Sequence, residues 1–294
     1  MSRQCVKEKP LAQAAHHYLA SQLAVVEAEE AGIRDDADPE CLHRFRVALR
    51  RGRALLGELK DCLVPELAEF RRRLAAVARE TNACRDADVF LALLPEWGGV
   101  LPDFLQPGLG RLEAILRQRR QSARAEVVDL LQGAEYRSVK QVWRQWLAQP
   151  AEAWFVTDAR LPVSKALEPR IRRRLRKLRR RLAAVTDETP AQDLHRLRIQ
   201  VKKLRYLLEF QTAESGDDRS AEAIAGLKRL QNVLGRHHDA AEQFSWLRGV
   251  LGEGESDPKT AAAVGWLLAD RHRSQRHAVT RLVKKREKLL RWQV

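Results

Sequence analysis

The sequence predicts an all-α protein built from two tandem helical bundles, and three observations support this prediction. Long segments rich in Leu, Ala, Arg and Glu carry apolar residues at positions i, i+3, i+4 and i+7, which is helical periodicity. Strand signals are missing, since the chain has neither an alternating Val/Ile/Thr run nor an Asn-Gly hairpin turn. An internal repeat indicates that one helical unit, with about four long helices, occurs twice.

Prolines punctuate the helical segments and set their order along the chain. The periodic stretches between them predict helices over 11–33, 40–62, 65–94, 108–132, 135–148, 164–186, 191–213, 219–252 and 258–292. The segment around 150–163 carries no such period and forms the expected seam between the two bundles.

The repeat itself is the most informative pattern in the chain. The segment LHRFRVALRRGRALL at 42–56 aligns with LHRLRIQVKKLRYLL at 194–208, an offset of 152 residues. The same offset places Arg119, Ser122 and Arg124 on Arg271, Ser274 and Arg276, and an offset of 153 places Arg85-Asp86 on His238-Asp239. This period is too long for a solenoid of short repeats. It predicts one domain over 1–294, made of a first repeat at 1–150 and a second at 164–294.

Composition limits the classes of partner. The chain has 54 Lys+Arg against 39 Asp+Glu, a net charge of +15, and this balance favours a polyanion such as nucleic acid, an anionic membrane or polyphosphate. No apolar run approaches the ~18–20 residues of a membrane span, so no membrane partner is expected. The four cysteines, Cys5, Cys41, Cys62 and Cys84, form no Cys-x-x-Cys pair, and no secretory leader precedes them. We therefore expect a cytoplasmic protein with reduced, mostly buried thiols.

Two basic stripes are the main candidate binding elements. On a helix at about 100° per residue, the four basic residues of the first repeat fall within an arc of roughly 80° beside an apolar face. The first stripe consists of His43, Arg46, Arg50 and Arg53. The second stripe repeats it with His195, Arg198, Lys202 and Arg205. An exposed helix usually balances such charge with acids four residues away, and acids are nearly absent here, which favours binding over a solvated face.

A third basic element lies between the stripes. Residues 165–181 contain ten Lys/Arg and one acid, Glu168. Apolar residues at 171, 175, 178 and 182 predict a docked helix rather than a disordered basic arm. Arginine dominates this segment, which suits bidentate contact with phosphate oxygens.

Catalytic and metal-binding patterns are weak. His237-His238-Asp239 and the pair His272 and His277 were considered as metal ligands, but neighbouring histidines point to different faces and an i, i+5 pair does not converge on a helix. The chain has no HExxH, GxxxxGK[ST], GxSxG or GxGxxG motif. We therefore expect no enzyme activity, no metal and no cofactor, with Asp86 and Asp239 orienting or neutralising basic side chains.

These repeats resemble the CHAD family, the conserved histidine α-helical domain. The likeness lies in the His-x-x-Arg-Val opening at 43–47, its counterpart at 195–199, and the Arg-Asp-x-Asp step at 85–88. The stretch LKRLQNVLGRHHDA at 227–240 is similar to the second-repeat counterpart of that step. The resemblance covers essentially the whole chain. It implies two bundles related by a pseudo-twofold axis around a basic central cavity that binds inorganic polyphosphate, at polyphosphate granules.

Two departures from the family pattern bear on the site. Ile199 replaces the valine of the opening, and His238 stands where the first repeat has Arg85. The ExExK pattern of the triphosphate-tunnel domain that often precedes this family is absent, so a stand-alone binding module is expected. Arg85 and His238 join the predicted site through the resemblance. The same basic surface is expected to extend over Arg120, Arg124, Arg173, Arg176, Arg180 and Arg276.

Nucleic acid remains the alternative ligand. Binding of single strands usually interleaves aromatic residues with bases, and Tyr206 is the one aromatic close to the stripes besides the core-facing Phe45. A protein that contacts only the backbone of a double helix needs no more than positive charge. An enzyme acting on phosphorylated substrates is a third, weaker reading.

Overall fold

The computed structural model describes residues 8–215, 220–252 and 257–290, without the side chains of 252 and 285–290. Predictions for Cys5 and Trp292 lie outside these residues. Within them the chain is all-helical, and its only β-type contacts are two isolated bridges. The helices are α1 (Leu11–Arg34), α2 (Pro39–Glu58), α3 (Glu66–Glu80), α4 (Asn82–Val100), α5 (Gln106–Gln132), α6 (Ala134–Ala148), α7 (Val163–Ala183), α8 (Ala191–Ser215), α9 (Ala221–Gly252) and α10 (Pro258–Leu290). The all-α prediction is confirmed.

Helix α2, which carries the first stripe, has a well-defined start. The carboxylate of Asp38 accepts a hydrogen bond from the Glu40 backbone N–H over 2.9 Å, and Pro39 occupies the first turn, where a missing N–H costs nothing. Phe45 and Leu49 on its apolar face are almost completely buried. Local capping and core packing therefore fix the direction in which the stripe points.

The segment predicted as one helix over 65–94 is two helices. The break falls at Thr81, which is fully buried and donates from its hydroxyl to the Ala78 carbonyl over 2.9 Å. Thr and Asn side chains compete with the helical hydrogen-bond ladder, which favours a new start at Asn82. Helix α4 then continues through Pro95, because Trp97 in its last turn is completely buried and holds that turn against the core.

The core joins the two predicted repeats. One apolar cluster draws mainly on α1, α2, α3, α6, α7, α8 and the first half of α9, and a second draws on α4, α5, α9 and α10. Each cluster therefore contains side chains from both sides of the seam at 150–163. The repeats at 1–150 and 164–294 stay a sequence-based prediction, but they do not have separate cores.

The starts of α1 and α7 form a reciprocal contact. The Leu11 N–H donates to the Leu161 carbonyl over 2.8 Å, and the Val163 N–H donates to the Lys9 carbonyl over 3.2 Å. The offset of 152 residues relates Lys9 to Leu161 and Leu11 to Val163, so the two hydrogen bonds are equivalent. Reciprocal contacts of this kind are what a twofold axis produces. A twofold relation between the complete repeats stays a prediction.

Two further features concern the environment of the protein. Cys41, Cys62 and Cys84 are buried and unbridged, as expected for these three thiols. Among the described helices, none is both long enough and apolar enough to cross a membrane.

Candidate functional site

The two basic stripes meet where α2 contacts α8. The Arg50 Nε–H donates a hydrogen bond to the Tyr206 hydroxyl over 2.9 Å, and this bond joins the first predicted repeat to the second. Lys202 lies in the same region, where burial, together with the charges of Arg198 and Arg50, lowers the pKa of its ammonium group to about 8. The structure thus brings cations from chain segments about 150 residues apart onto one basic surface.

Each stripe begins with a histidine that faces another basic side chain. Burial, followed by the charge of Arg85, lowers the pKa of His43. Burial, followed by His238, lowers the pKa of His195, and the Nδ1 atoms of these two histidines are 3.4 Å apart. Arg85 and His238 therefore hold equivalent places beside the two stripes. His43 and His195 are mostly neutral at pH 7, and either can gain a charge when an anion approaches.

Arg46 is held by the break between α3 and α4. Its Nη1 donates to the Ala78 carbonyl over 2.9 Å and to the Thr81 hydroxyl over 2.5 Å, while its Nη2 donates to Asn82 Oδ1 over 2.8 Å. All of these acceptors are neutral, so they orient the guanidinium group without cancelling its charge. The helix break that the sequence analysis missed is thus a positioning element for the first stripe.

Carboxylates accompany the arginines of the second stripe. Arg198 Nη2 lies 3.5 Å from Asp239 Oδ1, which agrees with the expected role of Asp239 in orienting a basic side chain. The Arg205 Nη1–H donates to Glu209 Oε1 over 2.9 Å. Burial raises the pKa of Asp239, while the charge of Arg198 lowers it. These pairs hold the side chains of Arg198 and Arg205 in place.

The basic surface continues onto α3, which the sequence analysis did not include. Burial lowers the pKa of Arg53, and the nearby charges of Arg71 and Arg79 lower it further. Both α3 arginines are exposed. The run of three arginines at 71–73 indicates a basic segment in the sequence. It does not predict which of these side chains lies beside α2, because tertiary packing sets that arrangement.

On the other side the surface continues onto α7. Burial, followed by the charge of Arg174, lowers the pKa of Lys203, and Lys177 adds to this effect. Arg174 is ion-paired with the buried carboxylate of Glu58. Three of the exposed arginines of α7 form what we call the α7 ridge: Arg173, Arg176 and Arg180.

Three predicted site residues have surroundings that differ from those of the stripes. The Arg120 guanidinium is shared between Asp88, at 2.7 Å, and Asp36, at 2.9 Å. Arg124 lies beside the same Asp36, with a separation of 3.5 Å between Nε and Oδ1. Arg276 is exposed on α10. The charges of Arg120 and Arg124 are therefore compensated locally, and a binding role for these three residues stays a prediction.

The candidate metal ligands were His237, His238 and Asp239; in the described part of the chain, no three His, Cys, Asp or Glu side chains lie close enough together to hold a metal ion. His237 is buried and accepts or donates a hydrogen bond with Gln275 Nε2 over 3.3 Å. His238 Nε2 lies 2.9 Å from Glu242 Oε1. This arrangement of cations, with histidines at one end, can bind an extended anion through charge and hydrogen bonds.

Comparisons with known proteins agree on the fold. The structure is similar to the crystal structure of the CHAD domain from the plant Ricinus communis, with a TM-score of 0.81, 23% identity, and coverage of 100% of this chain and 95% of that one. It is also similar to PptA from Streptomyces chartreusis, with a TM-score of 0.73, 18% identity, and coverage of 95% and 100% respectively. No curated protein sequence matches the chain. The model of the CHAD domain matches residues 17–248, which is well over half of the sequence, and the chain therefore belongs to the CHAD domain family.

Proposed function

We propose that the protein binds inorganic polyphosphate through the two basic stripes and catalyses no reaction on it. The observation that carries this proposal is the meeting of the stripes at the hydrogen bond between Arg50 and Tyr206. The CHAD domain family is known for polyphosphate binding, which supports the same ligand class. We further propose that this binding takes place in the cytoplasm, at polyphosphate granules.

The chemistry of the surface suits a flexible anion without bases. Arginine offers a planar group of donors that matches phosphate oxygens, and Arg46, Arg50 and Arg53 place three guanidinium groups along one helix face. Lys202 has a pKa lowered first by burial and then by the like charges of Arg198 and Arg50, and an anion that offsets these charges is favoured there. Each phosphate bound also releases condensed counterions, which adds to affinity at low salt.

Nucleic acid is the less favoured ligand because the stripes offer no stacking platform. Tyr206 is buried, its hydroxyl accepts the Arg50 bond, and Arg205 lies over its ring at 4.8 Å from the centroid. A base therefore cannot stack on this ring, and stacking is the usual source of affinity for single strands. Nucleic acid should bind only through its backbone, and more weakly.

A competition experiment tests the proposal. Fluorescently labelled long-chain polyphosphate is bound at physiological salt and displaced by unlabelled polyphosphate, duplex DNA or single-stranded DNA at equal phosphate concentration. We expect unlabelled polyphosphate to compete at least about tenfold better than either nucleic acid, since nucleic acids share only the backbone charge with polyphosphate. Equal competition by DNA would favour a general nucleic-acid binder, and displacement by neither would overturn the proposal.

A further inference from the structure

The structure contains two equivalent clefts outside the stripes. One lies between α4 and α5 and has a volume of about 500 Å³; the other lies between α9 and α10 and has a volume of about 360 Å³. The offset of 152 to 153 residues relates their linings, since Asp86, Arg119 and Ser122 of the first correspond to Asp239, Arg271 and Ser274 of the second. The α4–α5 cleft therefore serves as an internal reference for the α9–α10 cleft.

The two clefts have diverged in charge, and most of the changes make the α9–α10 cleft more positive. One change adds an acid, Glu96, which stands where the repeat register has Gly249 and is paired with Arg271. Arg236 in the α9–α10 cleft stands where the first cleft has Ala83. Ala278 replaces the acidic Glu126 of the first cleft. Arg281 stands at the position equivalent to the acidic Asp129, and His277 at that of Ala125. The first cleft keeps an apolar, aromatic wall that includes Phe90 and Trp246, whereas Gln243 replaces Phe90 in the second.

The cations of the α9–α10 cleft are available to a ligand. Within the described ranges, Arg236, His277 and Arg281 make no hydrogen bond or ion pair. Arg271 beneath them is buried, and its Nη1 donates to Glu96 Oε1 over 2.8 Å and to Gln243 Oε1 over 3.2 Å. This arginine is already compensated, so it forms a rigid floor, and the uncompensated positive charge belongs to Arg236 and Arg281.

We propose that the α9–α10 cleft is a second anion site, which takes a compact oxyanion of the phosphate class such as pyrophosphate. Two arginines on adjacent helices, neither of which is paired with a described side chain, can each donate two parallel hydrogen bonds to phosphate oxygens. The ion pair between Asp239, which lines the cleft, and Arg198 of the second stripe places the cleft beside that stripe. The cleft nevertheless has its own cations, Arg236 and Arg281, which belong to neither stripe. Its ligand is either a free short phosphate or the end of a longer chain.

Titration calorimetry with pyrophosphate tests this site on the whole protein. We expect Arg236→Gln/Arg281→Gln to lose affinity by at least about tenfold, because charge-assisted hydrogen bonds to both arginines are removed. The matched control Arg248→Gln/Arg273→Gln removes the same charge from exposed positions on the same two helices and should bind as the wild type does. The stripe variant Arg50→Gln/Lys202→Gln should also keep this affinity.

The result is decisive in either direction. Equal affinity of the wild type and the cleft variant would overturn the proposal, and so would a loss seen only in the stripe variant. A repeat of the titration on protein saturated with long-chain polyphosphate separates the two sources of ligand. If pyrophosphate still binds, the ligand of the cleft is a free short phosphate. If polyphosphate blocks the part of the pyrophosphate binding that the cleft variant lacks, the ligand is the end of a longer chain. Circular dichroism confirms that each variant is folded.

Discussion

Arg50 and Tyr206 form a hydrogen bond of 2.9 Å that has no counterpart on the other side of the site. The repeat register places Ala54 at the position equivalent to Tyr206, so Lys202, the equivalent of Arg50, receives no phenolic acceptor from the first repeat. One central cation is therefore oriented by a neutral partner, while the other has a pKa lowered to about 8 by burial and like charges. The two repeats contribute unequally to one surface.

Tyr206→Phe should weaken polyphosphate binding about threefold to tenfold, as expected for the loss of one hydrogen bond that positions a charged group. The charge of Arg50 remains, so the slope of log affinity against log salt should not change. Tyr18→Phe is a suitable control, since this half-buried tyrosine packs against Phe210 at 5.1 Å between ring centroids. A changed salt slope in Tyr206→Phe would mean that Tyr206 acts through charge rather than by positioning Arg50.

Arg50→Gln/Lys202→Gln should flatten the same salt dependence. With a single-stranded polyanion, the loss of two phosphate contacts should reduce the slope by about 1.4. Both residues lie beside the apolar face of their helices, so the fold should be retained. Arg117→Gln/Arg144→Gln removes the same formal charge from exposed ion pairs with Glu113 and Glu27. If this control flattens the slope equally, net charge rather than the stripes governs binding.

The fold could be read largely from periodicity, because a helix that buries one face shows that face in its sequence. The break at Thr81 was missed because the apolar period runs on through 65–94. Its cause is a buried hydroxyl that bonds to both Ala78 and Arg46, and that contact exists only in the folded molecule. The shared core could not be predicted either, because the repeat pattern does not indicate which faces of the two units pack together.

The site could be predicted in part. The stripes are local patterns on single helices, so their residues could be named from spacing alone. The α3 arginines and the compensation of Arg120 depend on contacts between distant segments. Asp36, which holds Arg120, lies in a turn with a φ of 53°, and no sequence pattern connects that turn to α5.

Lys202→Met should stabilise the folded protein at pH 7. A pKa lowered from 10.5 to about 8 means that the charged amine costs the folded state at most about 3 kcal/mol below pH 8. Between pH 8 and 10.5 the unfolded chain binds more protons, so the wild type gains stability as pH rises. The difference in Tm between variant and wild type should therefore shrink from pH 7 to pH 10. A variant that is less stable at pH 7 would contradict this account.

The α7 ridge should matter only for long ligands. Lys203, Arg174 and Lys177 connect the stripes to α7, and the ridge lies further out on the exposed face of that helix. Arg173→Gln/Arg176→Gln/Arg180→Gln should weaken binding of chains of several hundred phosphates but leave binding of chains of about ten phosphates unchanged, because short chains are held by the stripes. Fluorescence anisotropy with both lengths measures this difference. Equal losses for both would place the ridge within the primary site.

Binding should be linked to proton uptake over two pH ranges. Burial and neighbouring cations lower the pKa of His43 and of His195, and a bound polyanion raises both again, so affinity should increase as pH falls from 8 to 6. Lys202 has a pKa of about 8 in the free protein, so affinity should decrease as pH rises from 7 to 10. His43→Gln/His195→Gln should flatten the first range, and Lys202→Arg, which stays charged, should flatten the second. Calorimetry in two buffers of different ionisation enthalpy counts the protons directly. If the histidine variant keeps the full dependence between pH 8 and 6, these histidines do not face the ligand.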